Sequence, residues 1–110
     1  MRRLALLALV FGYTSSALAG SVTSTVASIR VDADGKGMIF FNQAISGTLS
    51  CRDSGYASAL SFDSTTAGGK SILATALAAK ASGATLSAVG TAACNVYGNW
   101  VEGLSYMHIL

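Results

Sequence analysis

The 110-residue sequence contains no proline, one histidine, one tryptophan and two cysteines, and only 11% of it is charged. Each shortage closes off a class of protein. A lone His108 with two cysteines falls short of the three or four ligands that a zinc centre needs. A Ser/His/Asp arrangement would have to use His108, close to the last residue, and serine is so common here that one lying near it carries no information. The carboxylates Asp53, Asp63 and Glu102 form no pair set in a cleft-like context, as two-carboxylate hydrolysis would require. We therefore expect no enzyme, no cofactor and no metal.

Long apolar runs are also missing. The longest, Leu4 to Phe11, is too short to cross about 30 Å of hydrocarbon, so no membrane span is expected. There is no block of like charge, no internal repeat and no linker. The scattered charge excludes a further partner: without clustered Lys and Arg there is no electrostatic footprint for a phosphate backbone, and nucleic acid is not expected.

What is present begins with a leader. Met1-Arg2-Arg3 supplies a positive start, an apolar stretch follows, and Ala17-Leu18-Ala19 closes with small residues in the A-x-A spacing of a signal-peptidase site. The expectation is a signal peptide over residues 1–19, one domain over residues 20–110, and a secreted or periplasmic location. The formal net charge of +2 then resides in Arg2 and Arg3. Downstream, Arg30, Lys36, Arg52, Lys70 and Lys80 balance Asp32, Asp34, Asp53, Asp63 and Glu102.

A domain this small buries only about 60 to 65% of its unfolded surface and is thinly stable without a staple. An oxidising compartment and an even cysteine count predict a Cys51–Cys94 disulfide. Closing a loop of roughly forty residues contributes about 4 kcal/mol on the chain-entropy model. A redox pair would want its cysteines close in sequence.

From Val22 to Val31 the chain is rich in Val, Thr and Ile. Val22 and Val26 share one parity, while Ala27, Ile29 and Val31 share the other, which predicts a strand kinked or bulged near Val26. Turn formers from Asp32 to Gly37 lead into the apolar Met38–Phe41, so a hairpin is expected. An irregular connection holding Cys51 runs from Asn42 to Tyr56, with a short extension around Ile45 and Leu49. Ala59–Phe62 predicts a third strand. A helix follows, with N-cap candidates from Asp63 to Thr66, Ile72, Leu73, Ala76 and Leu77 at helical spacing, Lys80 in the last turn and Gly83 as stop. Ala84–Ala93 and Val96–Leu110 predict two or three further strands, broken at Gly90, Gly98-Asn99 and Gly103. Strand runs on either side of one helix point to an α+β, mainly β architecture with antiparallel pairing, including a small barrel.

Two segments imitate ligand sites. Laid on an EF-hand loop, Asp32 and Asp34 take positions 1 and 3, but Lys36 stands at 5 and Gln43 at 12, so two ligands are missing and the flanks are strands. Ser64–Ser71, S-T-T-A-G-G-K-S, lies where a P-loop would, yet opens with Ser in place of Gly and lacks a downstream acidic partner. Its glycines are expected to let the helix start pack against the sheet.

Tyr97, Trp100 and Tyr106, interleaved with Asn95, Asn99 and Glu102, leave two readings open. Aromatic faces with nearby amides and carboxylates suit the C–H surface and hydroxyls of a sugar, and equally they pack the core and edge strands of a domain poor in large side chains. The candidate ligand-binding residues are Tyr97, Asn99 and Trp100.

The second half of the chain resembles the receptor-binding B subunits of pentameric bacterial toxins, the cholera and subtilase cytotoxin types. The likeness lies in the helix from Thr66 to Ser82, the strand Ala84–Ala93, the turn Cys94-Asn95-Val96-Tyr97-Gly98-Asn99 and the final apolar strand Leu104–Leu110. It implies an OB-fold barrel, a glycan receptor contacted through Tyr97, assembly as a homo-oligomer through helix and edge strands, and a separate enzymatic subunit. A secreted or periplasmic protein that binds another protein, as inhibitor or structural component, is the alternative.

Overall fold

The computed structural model describes residues 18–110; residues 1–17, which hold most of the expected leader, lie outside them. Among the described residues, six strands and one helix follow in the order β1 (Ser21–Ser24), β2 (Val26–Val31), β3 (Lys36–Phe41), β4 (Ala59–Asp63), α1 (Ala67–Ser82), β5 (Leu86–Gly90) and β6 (Leu104–Ile109), with a 3-10 turn at Ser54–Tyr56 before β4. They form two three-stranded antiparallel sheets, ordered β1-β5-β6 and β2-β3-β4. The architecture is α+β and mainly β. The strands do not close into a continuous barrel: between β4 and β6 there is a single parallel bridge, Ser61 with Gly103.

The parity slip in the first strand has a structural counterpart. Thr25 separates β1, which pairs with β5, from β2, which pairs with β3. The register then shifts between Val26 and Ser28, leaving Ala27 as the extra residue of a bulge. Inserting one residue exchanges the faces, so Val22, Ser24 and Val26 are buried while beyond the bulge Ile29 is turned toward the core.

β3 explains why Met38–Phe41 is apolar without alternation. Ile39 and Phe41 join the main core, made of Val22, Leu60, Phe62, Leu86, Ala88 and Leu104 with Ala76 and Ala79 of α1. Met38 and Phe40 face the other way, into a second cluster with Ala59, Val101, Tyr56 and Tyr97. Both faces are covered.

In α1, Thr66 caps the start by accepting from Gly69 N at 2.9 Å, and Gly83 (φ 68°) ends it. The buried stripe is Gly69, Ala76 and Ala79, and these small side chains bring the helix close to β2, β4 and β6. Gly69 has a specific reason: a Cβ there would collide with the Asp63 carbonyl oxygen. Of the two glycines of the P-loop-like segment, Gly69 therefore serves packing, whereas a Cβ on Gly68 would meet only open space.

The two or three strands expected after the helix are two, β5 and β6: strand structure ends at Gly90 and resumes at Leu104, and residues 91–103 between them are irregular. The short extension expected around Ile45 and Leu49 needs correcting. Ile45 and Leu49 are buried but belong to no strand. Their apolarity anchors a loop. Among the described residues no helix is long and apolar enough to cross a membrane.

Candidate functional site

The irregular segments 42–58 and 91–103 come together at one end of the molecule, and several kinds of bond join them. Cys51 and Cys94 form the expected disulfide, with Cα atoms 6.1 Å apart. Asp53 N donates to Trp100 O at 2.8 Å, and Arg52 Nη2 donates to Glu102 Oε1 at 2.7 Å.

That last pair is the most deeply buried charge among the described residues. The Arg52 side chain is 8% exposed and that of Glu102 0%. Burial of a carboxylate is tolerable only when its lone pairs are occupied. Here Oε2 accepts from Gly20 N and Ala92 N, each at 3.0 Å, while Oε1 takes the guanidinium. Arg52 also donates to Gly47 O and Ser46 O, at 3.1 and 3.4 Å, and its Nε is buried without a partner. Gly90 makes room for this arrangement, since a Cβ on it would collide with Glu102 Oε2.

Above the stitched loops sits an aromatic face. Tyr56 and Trp100 have ring centroids 5.3 Å apart, Tyr97 and Trp100 5.8 Å, and Phe40 backs Tyr56 at 6.4 Å, all tilted relative to one another. Such tilted pairs are the favoured aromatic geometry. Trp100 is 38% exposed, Asn99 beside it is exposed, and Tyr56 and Tyr97 are half-buried. The Tyr97 hydroxyl donates to Asp32 Oδ2 at 2.5 Å, and Arg30 Nε holds the other oxygen of that carboxylate at 2.7 Å. A hairpin residue thus fixes the ring of a loop residue.

The same contacts set the ionisation of the trio. Hydrogen bonds from Arg30 and then Tyr97 hold the Asp32 carboxyl below the usual carboxylate range. Burial first, and the Asp32 contact second, push the Tyr97 phenol above its ordinary value. Bonding to Asp32 likewise raises Arg30. The three act as one charged hydrogen-bonded unit at the rim of the aromatic face.

Of the residues singled out in the sequence, Tyr97, Asn99 and Trp100 do share one surface. Tyr106 does not: it lies on β6 and is 55% exposed there, beside Gly68 and Ile72 of α1. Glu102 is withdrawn into the Arg52 pair and presents nothing to a ligand. Asp32 is committed to Arg30 and Tyr97, and Asp34 to the Lys36 amide at 3.1 Å, as turn carboxylates are. Among the described residues no group of three His, Cys, Asp or Glu is placed to hold a metal. Sequence reasoning missed Tyr56 and the Arg30–Asp32 pair. The Arg-x-Asp spacing at a strand end, which puts both side chains on one face, was the available signal. Compared with known proteins, the chain matches no family model, no curated protein and no solved structure.

Proposed function

We propose that this chain is an exported, non-catalytic binding module whose face of Trp100, Tyr97, Tyr56 and Asn99 recognises cell-surface glycans. The observation that carries the reading is a half-exposed indole held by two tyrosines on a disulfide-anchored loop, with polar groups at its rim. A sugar ring needs a rigid apolar platform for its C–H face and hydrogen-bonding groups beside it; Asn99 supplies the latter, while Arg30 and Asp32 hold Tyr97 in place. Rigidity matters because an ordered site loses less entropy on binding.

The toxin B-subunit likeness is part of the same proposal. Its support is the strand connectivity: a bent first strand divided between both sheets, the helix between β4 and β5, and one parallel bridge linking β4 to the start of β6. An OB-like half-open barrel would follow such a path. In this reading the domain assembles with copies of itself and accompanies a separate enzymatic subunit.

A glycan array probed with the oxidised protein tests the site. Trp100→Ala is expected to weaken binding at least about tenfold and Asn99→Ala less, since the stacking ring contributes the larger share. Unchanged binding in both variants removes this face as the site. A specific observation also favours a protein-binding reading: the β6 edge exposes Tyr106, Ile109 and Leu110, at 55, 42 and 66%. Open apolar strand edges invite another chain. A protein that ignores every glycan yet associates through β6 would support that reading.

A further inference from the structure

Gly20 stands where the exposed chain enters the core. Leu18 is 78% exposed and Ala19 exposed, whereas Gly20 is buried. Its amide donates to Glu102 Oε2 at 3.0 Å, and its carbonyl accepts from Gly90 N at 2.8 Å. No side chain fits at this position. A Cβ would lie 2.5 Å from Ile45 Cγ2, 2.7 Å from Arg52 Nη2 and 2.8 Å from Glu102 Oε1. A backbone nitrogen is thus pressed directly against a fully buried carboxylate, one residue beyond the A-x-A signal.

We propose that leader removal after Ala19 turns the Gly20 nitrogen into an α-ammonium that pairs with Glu102, so that processing completes a buried Arg52–Glu102–Gly20 charge cluster and locks the mature fold. The inference rests on the leader reading of residues 1–19 and is independent of glycan binding. Water is the co-reactant of an exported-protein endopeptidase: its hydroxyl goes to the Ala19 carbonyl, its proton to the Gly20 nitrogen, and one further proton from solvent makes the ammonium. The Ala19 carboxylate departs with the leader.

The geometry divides the two cations between the two oxygens. Arg52 uses Oε1 and leans on the Ser46 and Gly47 carbonyls, while the Gly20 nitrogen shares Oε2 with the neutral Ala92 amide. Glu102, from the segment before β6, and Arg52, from the loop after β3, are the charged groups facing Gly20. Its other neighbours, Ser21 of β1, Ile45 of the loop after β3 and Gly90 at the end of β5, carry no titratable side chain. In the precursor the same oxygen receives two neutral amide hydrogens, from Gly20 and from Ala92. In the mature chain the Gly20 bond becomes charge-assisted, which is about twice as strong.

The test compares the secreted protein with a version that retains Leu18 and Ala19, both with the disulfide formed. Intact mass should place the secreted N-terminus at Gly20. Urea unfolding at about pH 6 should give the Gly20 form a folding constant about tenfold larger, the scale by which a charged hydrogen bond exceeds a neutral one. An ordinary α-amino group loses its proton near pH 8, so the advantage should vanish by about pH 10. Glu102→Gln should abolish the difference at the lower pH. If that variant does not fold, acylation of the α-amine reports instead, and is expected to be at least about tenfold slower in the folded protein than in urea because the amine is paired and shielded. Any of three results overturns the proposal: a different mature N-terminus, equal stability of the two forms at about pH 6, or an amine that reacts as fast folded as unfolded.

Discussion

Glu102→Gln is the most severe conservative substitution this fold allows. The glutamine has the same shape, but one of its two positions becomes an NH2 donor. Every partner of the carboxylate is a donor: Gly20 N and Ala92 N at 3.0 Å on Oε2, Arg52 Nη2 at 2.7 Å on Oε1. Whichever way the amide turns, a donor faces a donor, and Arg52, 8% exposed in its side chain, loses its counter-charge. Breaking a buried pair from one side costs about 3–5 kcal/mol. A domain of this size has on the order of 5–10 kcal/mol in total, so most of the stability goes. Urea unfolding of the oxidised protein, followed by the fluorescence of Trp100, measures the loss. Replacing both partners with apolar residues, Arg52→Met with Glu102→Leu, should recover part of it, because the buried guanidinium is no longer left without its counter-charge. A loss below about 1 kcal/mol for Glu102→Gln would mean the pair is wet and carries nothing, contrary to its burial.

Two further outcomes are expected. Replacing both cysteines with serine opens a loop spanning 43 residues and should cost about 4 kcal/mol on the chain-entropy model; amide exchange should rise first in residues 91–103, and a rise spread evenly over β3 and β5 would contradict the anchoring role. Asp32→Asn should lower stability at neutral pH. The folded Asp32 titrates below its unfolded value, so its contribution is present above about pH 4 and lost as acid carries the pH through the lower folded value. The gap in urea midpoint between the wild type and this variant, followed against pH, should therefore close in acid, and a gap that persists there would refute the Arg30–Asp32–Tyr97 unit. Because Tyr97 is shifted upward, its contribution is present below about pH 10 and lost as the pH rises further.

The local elements were legible because each depends on residues adjacent in sequence. The parity change at Val26 foretold the bulge at Ala27, and the N-cap candidates Asp63 to Thr66 and the stop at Gly83 bracketed the helix, which Thr66 caps. The stretch 91–103 was harder. Its valines and alanines read as strand, yet Ala92 (φ 66°) and Gly98 (φ 72°) turn the chain, and Ala92 N goes to Glu102 instead of to a strand ladder. Tyr56 offered no signal of its own, since its value comes from Trp100, far away along the chain.

Composition, spacing and parity, read along the chain alone, pointed to a leader and determined the disulfide partners and the order of strands around one helix. These follow from short-range chemistry: backbone preferences, capping and the two-residue period of a strand. Only the tertiary structure decided that Glu102 is a buried anchor and no ligand contact, that Asp32 serves Tyr97, and that the backbone of Gly20 ends against a carboxylate. The physical reason is that a side chain's charge, exposure and partners are set by what the fold brings beside it across tens of residues, and burial reverses what the same carboxylate would do at the surface.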